Sequence, residues 1–221
     1  MLELLSLGTP FGLAFASGLN AYLPLLLFTI SVRWLHLSKI DPHFTFVTSN
    51  WCMAALVLLT LLDFVADKIP LLDHGWDAVN TFIRPIAGAV IAAAAGGSML
   101  SKLPTNLLSS VPVSGRGLME MGILPAPAIG LFVLLLLGGV LALLSHTAKS
   151  TTRLFSTITT AGILNIGLSV AEDITVIILV LLSIFASAIM FIVLVLLLIF
   201  LAPPIIRLWT SRFHKRRGLL E

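Results

Sequence analysis

The chain has 221 residues, of which 58% are hydrophobic and 10% charged, with a mean hydropathy of +1.11. That composition excludes an ordinary soluble domain and a disordered chain, and the length suffices for about six membrane crossings. The net charge of +3 and the pI of about 9.4 reflect Arg207, Arg212, Lys215, Arg216 and Arg217 at one end, a membrane-flanking pattern and not a nucleic-acid surface.

Backbone groups in hydrocarbon must bond within their own segment, and no alternating ten-residue stretches suggest a barrel, so the expected fold is all-α. A single transmembrane domain is expected over 1–203, with a basic juxtamembrane tail over 204–221. The opening "MLELLSLGTP" carries Glu3 and no basic cluster, so a cleaved leader is not expected. Six apolar segments follow, at 11–32, 51–66, 82–97, 124–145, 154–171 and 174–202. The second and third would reach only about 24 Å, and the last about 43 Å, against a hydrocarbon core of about 30 Å. Short or broken helices are therefore expected, and a tilted final one.

The first segment contains "SGLNAYLPLL", where Gly18, Asn20 and Pro24 interrupt the helix. The second holds Cys52, the only cysteine, which excludes an internal disulfide and a cysteine zinc site. It ends in "LLDFVADKIPLLDHGWDAVNTFIRP", residues 61–85, which gathers Asp63, Asp67, Lys68, Asp73, His74, Asp77 and Arg84. Asp63 and Asp67 are four apart and share a helix face. Ile69-Pro70 should stop that helix, and Asp73 is a plausible N-cap for the next. Trp76 suits a membrane interface. The stretch reads either as a solvated hairpin or as a partly buried ion-pair network, since a charge at membrane depth is costly and faces protein or water. A divalent-metal site from Asp63, Asp67, Asp73 and His74 is conceivable, but no known metal spacing is matched.

On the third segment Gly88, Ala92 and Gly96 form a small-xxx-small row that lets helices approach closely. Residues 98–123 are one polar insertion, punctuated by Pro104 and Pro112 and read as a loop. In "HTAKSTTRLF", His146, Lys149 and Arg153 form a basic stripe. Its default reading is a snorkelling anchor at the membrane edge. The alternative is a counter-charge for Glu172, Asp173 or the acids of 63–77. The fifth segment repeats the interruption of the first in "AGILNIGLSVAED", with Gly162, Asn165 and Gly167; Asn165 and Glu172 are seven apart and share a face. Interrupted spans in two halves are a pointer to a transporter binding site.

Counting Lys and Arg on alternate sides gives nine with the N-terminus, 63–84, 146–153 and the tail, against Arg33, Lys39, Lys102 and Arg116 on the other. Both termini are accordingly expected in the cytoplasm. No G-x-S-x-G, H-E-x-x-H, C-x-x-C or dinucleotide loop occurs, which counts against hydrolytic and redox chemistry, and no cofactor is expected.

"LLDFVADKIPLLDHGWDAVNTFIRPIAGA", "SGLNAYLPLL", the H-x-x-K-x-x-x-R run from His146 and "EDI" from Glu172 occur together in this order. In these motifs the chain resembles the bacterial integral-membrane family catalogued as domain of unknown function 4126. It departs in a longer 98–123 insertion and in the basic-ended tail. The resemblance implies a membrane fold in the bacterial inner membrane and highlights these positions without supplying an activity.

The expected function is a multi-pass protein that binds or transports a small solute, ion or lipid headgroup. Its polar site would draw on Asn20, Asp63, Asp67, Lys68, Arg84, Asn165, Glu172 and Asp173, with Lys149 and Arg153 as counter-charges. The rivals are an intramembrane lipid-modifying enzyme using Asp63 and Asp67, and a non-catalytic subunit of a membrane complex or homo-oligomer. Membrane lipids are the expected partners and nucleic acid is not. The basic tail should lie on an anionic leaflet, where each cation contributes about 1 kcal/mol. Neutralising all five tail cations should weaken its binding to anionic vesicles, most at low salt; equal binding to neutral vesicles would leave the tail as a topology signal only.

Overall fold

The described apolar segments are helical, so most of their backbone amides bond within their own segment. The computed structural model describes residues 5–67, 70–100, 126–160 and 164–200, and no strand occurs among them. Lys68, most of the expected insertion and the basic tail lie outside the described residues. The helices are α1 (Gly8–Leu19), α2 (Leu23–Arg33), α3 (Asn50–Ala66), α4 (Pro70–Leu100), α5 (Ala126–Thr160), α6 (Asn165–Phe185) and α7 (Ser187–Phe200). A 3₁₀ turn, Pro42–Thr48, precedes α3.

Three stretches are long and apolar enough to cross a membrane: Val79–Gly97, Gly130–Thr157 and Gly167–Phe185. A fourth is reached only if the 3₁₀ turn and α3, bent by 61°, count as one span. The apolar helices fit a membrane-embedded protein, and the sequence-based count of about six full crossings is not matched among the described residues.

The segmentation differs at four places, each for a physical reason. The first apolar segment is a hairpin and not one span. Pro10 sits by Gly96 and Leu134, whereas Gly18 sits by Ala142 and Ser145, so α1 runs parallel to α5 and antiparallel to α4. After the break α2 turns back, and Arg33 Nη1 donates to Thr48 O at 3.0 Å, just before α3. The 3₁₀ turn is tied to the Gly96 end as well, since Asp41 N donates to Ala94 O at 2.9 Å. The N-terminal end of α1 thus lies opposite the Asp63–Arg84 end, and the strict alternation behind the side count does not hold.

Second, 146–153 is not a loop: α5 continues through it, because partners on other helices neutralise its cations. Third, α4 begins at Pro70, a residue suited to a first turn where no amide donor is needed, so Asp73 lies inside the helix and not before it. Fourth, the final apolar segment is divided at Ala186, which leaves the helical region at φ −140° and ψ 56°.

Helix α1 is the centre of the bundle. Its residues from Gly8 to Pro10 and from Gly12 to Gly18 are buried, and a helix enclosed on all sides must be apolar or small on all sides. It packs on α4, α5 and α6. The small row on α4 meets a second one on α5. A Cβ placed on Gly138 would lie 2.5 Å from Gly88 O, and one on Gly88 would lie 2.9 Å from Gly138 O. Close approach without a Cβ is what permits this backbone contact.

Gly138→Ala should therefore overpack the α4–α5 seam and cost about 1–3 kcal/mol. Gly167, with nothing within 4 Å of an added Cβ, supplies the control: Gly167→Ala should be neutral or slightly stabilising in the same detergent melt. Equal melting of the two variants would remove the seam as a determinant of the fold.

Candidate functional site

The break between α1 and α2 exposes two sets of backbone groups that need partners. Asn20 leaves the helix with φ −140° and ψ 122°. Its Oδ1 accepts from Tyr22 N at 3.2 Å and Leu23 N at 3.0 Å, so the amide caps the start of α2. At the end of α1, Leu19 O accepts from Lys149 Nζ at 2.9 Å. A cation at a helix C-terminus also meets the negative end of the helix dipole.

Lys149 is one corner of a buried quartet. Its Nζ lies 3.0 Å from Asp67 Oδ2 and 3.1 Å from Glu172 Oε2. Arg153 Nη2 lies 2.8 Å from each of the same two oxygens. Two acids face two bases, so the quartet is formally neutral. The Lys149 and Arg153 side chains are only 2% and 7% exposed. Desolvating one such ion alone costs several kcal/mol, and only close partners on several helices offset it. Asp67 follows α3, Lys149 and Arg153 lie on α5, and Glu172 lies on α6. Through the Leu19 carbonyl, α1 joins them. The default reading of Lys149 and Arg153 as a snorkelling anchor is thus overturned, because their heads point inward to acids and not outward to water.

A second set lies beside the first. Trp76, Asn80 and Arg84 are spaced by four on one face of α4. Asp63 Oδ1 accepts from Trp76 Nε1 at 2.6 Å and from Asn80 Nδ2 at 2.9 Å. Trp76 therefore serves a buried acid. Arg84 Nη1 lies 2.7 Å from His146 Nδ1. A guanidinium has only donors, so His146 must accept at Nδ1, carry its proton on Nε2 and donate to Thr81 Oγ1 at 3.1 Å. Buried Tyr22 lies within electrostatic reach of both Asp63 and Arg84, and the field of Arg84 extends to Asp67. The two sets form one polar region at the tip of the α1–α2 hairpin. At about 1.5 Å per residue, Arg84 lies about 8 Å inside the start of the apolar stretch Val79–Gly97, and Arg153, Lys149 and His146 lie about 6, 12 and 17 Å inside the end of Gly130–Thr157, while Asn80 and Trp76 sit at the edge of the first.

Of the sequence-derived candidates, Asn20, Asp63, Asp67, Arg84, Lys149, Arg153 and Glu172 come together here. Asn165 does not join them: its Nδ2 donates to Thr157 Oγ1 at 3.0 Å, beyond the quartet. Asp173 is half-buried beside Glu172 with contacts of its own. Lys68 and the side chains of Asp73, His74 and Asp77 lie outside the described residues, and no group of three or more His, Cys, Asp or Glu suited to a metal occurs among those described. His146 was marked only as part of the basic stripe, and Asn80, Thr81 and the Leu19 carbonyl were not foreseen. The i, i+4 spacing of Trp76, Asn80 and Arg84 was the available signal for Asn80; nothing local marks a backbone carbonyl four helices away.

Removing one partner of the quartet should leave an uncompensated buried charge. Lys149→Met and Asp67→Asn should each destabilise the fold by about 3–5 kcal/mol. The double variant should cost clearly less than their sum. Additive and individually mild changes in a detergent melting assay would show the quartet to be wet and uncoupled.

The model of the family described as Domain of unknown function (DUF4126) matches residues 7–206. No curated protein and no solved structure matches the chain. The match takes in every helix of the bundle and both polar sets, and the chain belongs to the DUF4126 family.

Proposed function

We propose that this protein binds a small ion or polar solute at the tip of the α1–α2 hairpin and moves it across the bacterial inner membrane. The observation that carries the reading is the meeting of a helix break with ionised side chains inside the apolar stretches: Leu19 O on Lys149, and Lys149 on Asp67 and Glu172. Interrupted helices whose ends face charges are a recurring way to build a solute site in a membrane, because unwound backbone and ionised groups can exchange one partner for another. Release of Lys149 from the Leu19 carbonyl would free both the hairpin tip and one edge of the quartet. The orientation that fits this reading has the basic tail, 204–221, in the cytoplasm.

A second reading is supported by the closure of the quartet. Lys149 at 2% exposure and two acids each held by two cations also suit a non-catalytic subunit, whose charges lock helices together. Lipid-modifying chemistry with Asp63 and Asp67 as a catalytic pair has less support, since the two carboxylates bond to different partners and share none.

Reconstitution into proteoliposomes separates the readings. Ion and solute gradients should drive currents or tracer uptake above empty vesicles. Glu172→Gln, the mildest change to the quartet, should reduce the flux at least about tenfold, a barrier change of about 1.4 kcal/mol, while the protein still elutes as a folded species. Absence of flux for inorganic ions, amino acids and organic acids, together with co-purification of a stoichiometric membrane partner, would transfer the case to the subunit reading.

A further inference from the structure

Asp63 differs from the two acids of the quartet in one respect. Asp67 and Glu172 each face two cations, whereas Asp63, at 0% exposure, has no ion pair among the described residues. Its Oδ1 accepts from Trp76 Nε1 and Asn80 Nδ2. Its Oδ2 is buried and has no hydrogen-bond partner among the described residues. Asn80, also at 0% exposure, is in the complementary position: Nδ2 is engaged by Asp63, and Oδ1 is buried and has no partner among the described residues. The amide orientation follows from the carboxylate, because swapping its N and O would set oxygen against oxygen. Two hard oxygen acceptors, on side chains joined by one hydrogen bond, are thus left without a donor among the described residues.

We propose that Asp63 Oδ2 and Asn80 Oδ1 are ligands of a hard monovalent cation, sodium or potassium. The chemistry of the pair selects the class. Carboxylate and amide oxygens favour alkali and alkaline-earth ions over softer metals. Asp63 carries −1 and Arg84 of the same set +1, so a monovalent ion adds the smallest positive excess and a divalent ion twice as much. Arg84 lies one turn from Asn80 on the same face and within reach of the same tyrosine, Tyr22, so a second positive charge on the ion is further disfavoured. Tyr22 brings another oxygen into the neighbourhood. The inference deepens the transport reading by naming a co-ion or cargo for that polar region, and its physiological role rests on that reading; the binding itself does not.

The test is equilibrium binding by the purified chain in detergent, at fixed pH and ionic strength, with choline replaced stepwise by sodium or potassium. The melting midpoint of the unaltered chain should rise and saturate with one of the two ions. Asn80→Ala should weaken the apparent affinity about tenfold or more, and Asp63→Asn should abolish the ion dependence. If Asp63→Asn fails to fold, the ion titrations of the unaltered chain and of Asn80→Ala still decide. No ion-dependent shift in the unaltered chain overturns the proposal and leaves a bridging water between the two oxygens. An equal shift in Asp63→Asn overturns it by placing the ion elsewhere. A shift that follows pH and is the same in choline, sodium and potassium overturns it in favour of a proton. Saturable binding without flux in proteoliposomes would keep the site and sink the transport reading; flux without ion-dependent stabilisation would do the reverse.

Discussion

Lys149 and Arg153 sit on an apolar helix, away from water, and the rest of the bundle is arranged so that they can. A buried cation without an acid beside it would unfold the helix around it or lose its charge. Asp67 and Glu172 supply the acids from two other elements, and Asp67 Oδ2 and Glu172 Oε2 each serve both cations. The consequence is topological. The end of α3, the C-terminal third of α5 and the first half of α6 must meet at one level, and the 35-residue helix α5 can run unbroken through its own charges.

The same lysine settles the hairpin. Helix α1 ends inside the bundle, where its final carbonyls have no water to turn to, and a dangling acceptor there is costly. Lys149 meets Leu19 O, Ser145 Oγ donates to Phe15 O at 2.7 Å, and Asn20 caps the helix that follows. Those bonds need backbones in near contact. Gly18 against Ala142, and Gly88 against Gly138, provide the approach. Small residues on α1, α4 and α5 are therefore a precondition of the polar site and not a separate packing feature.

The two polar sets have different chemistry although they adjoin. The quartet is balanced, two acids against two bases, with its facing oxygens engaged. The Asp63 set, which also holds the guanidinium of Arg84, leaves one carboxylate oxygen and one amide oxygen without donors among the described residues. A closed set resists change and holds helices; one with oxygens that lack donors has use for a ligand. Arg84, His146 and Thr81 stand between them as a chain of donors and acceptors whose direction is set by the guanidinium at one end.

By itself the sequence determined the class of the protein, the neighbourhood of its polar site and most of its members. Runs of apolar residues leave the backbone no choice but helix in hydrocarbon, and ionisable residues are so rare here that Asp63, Asp67, Arg84, Lys149, Arg153 and Glu172 identify themselves by standing among apolar neighbours. The Gly18, Asn20 and Pro24 cluster likewise marks a break. What it could not decide is direction and pairing. A break with a polar amide is compatible with a kinked span or a reversal, and only the bond from Lys149, 130 residues away in the chain, and the return of Arg33 to Thr48 make it a hairpin. A basic stripe is compatible with a loop or a buried helix face, and the outcome depends on acids contributed by distant helices. Asn165 shares a face with Glu172 yet bonds elsewhere, because a face has many depths and neighbours at each are set by packing. Local chemistry determined which residues carry charge; tertiary structure decided which charges meet, since that depends on contacts between helices that no local spacing encodes.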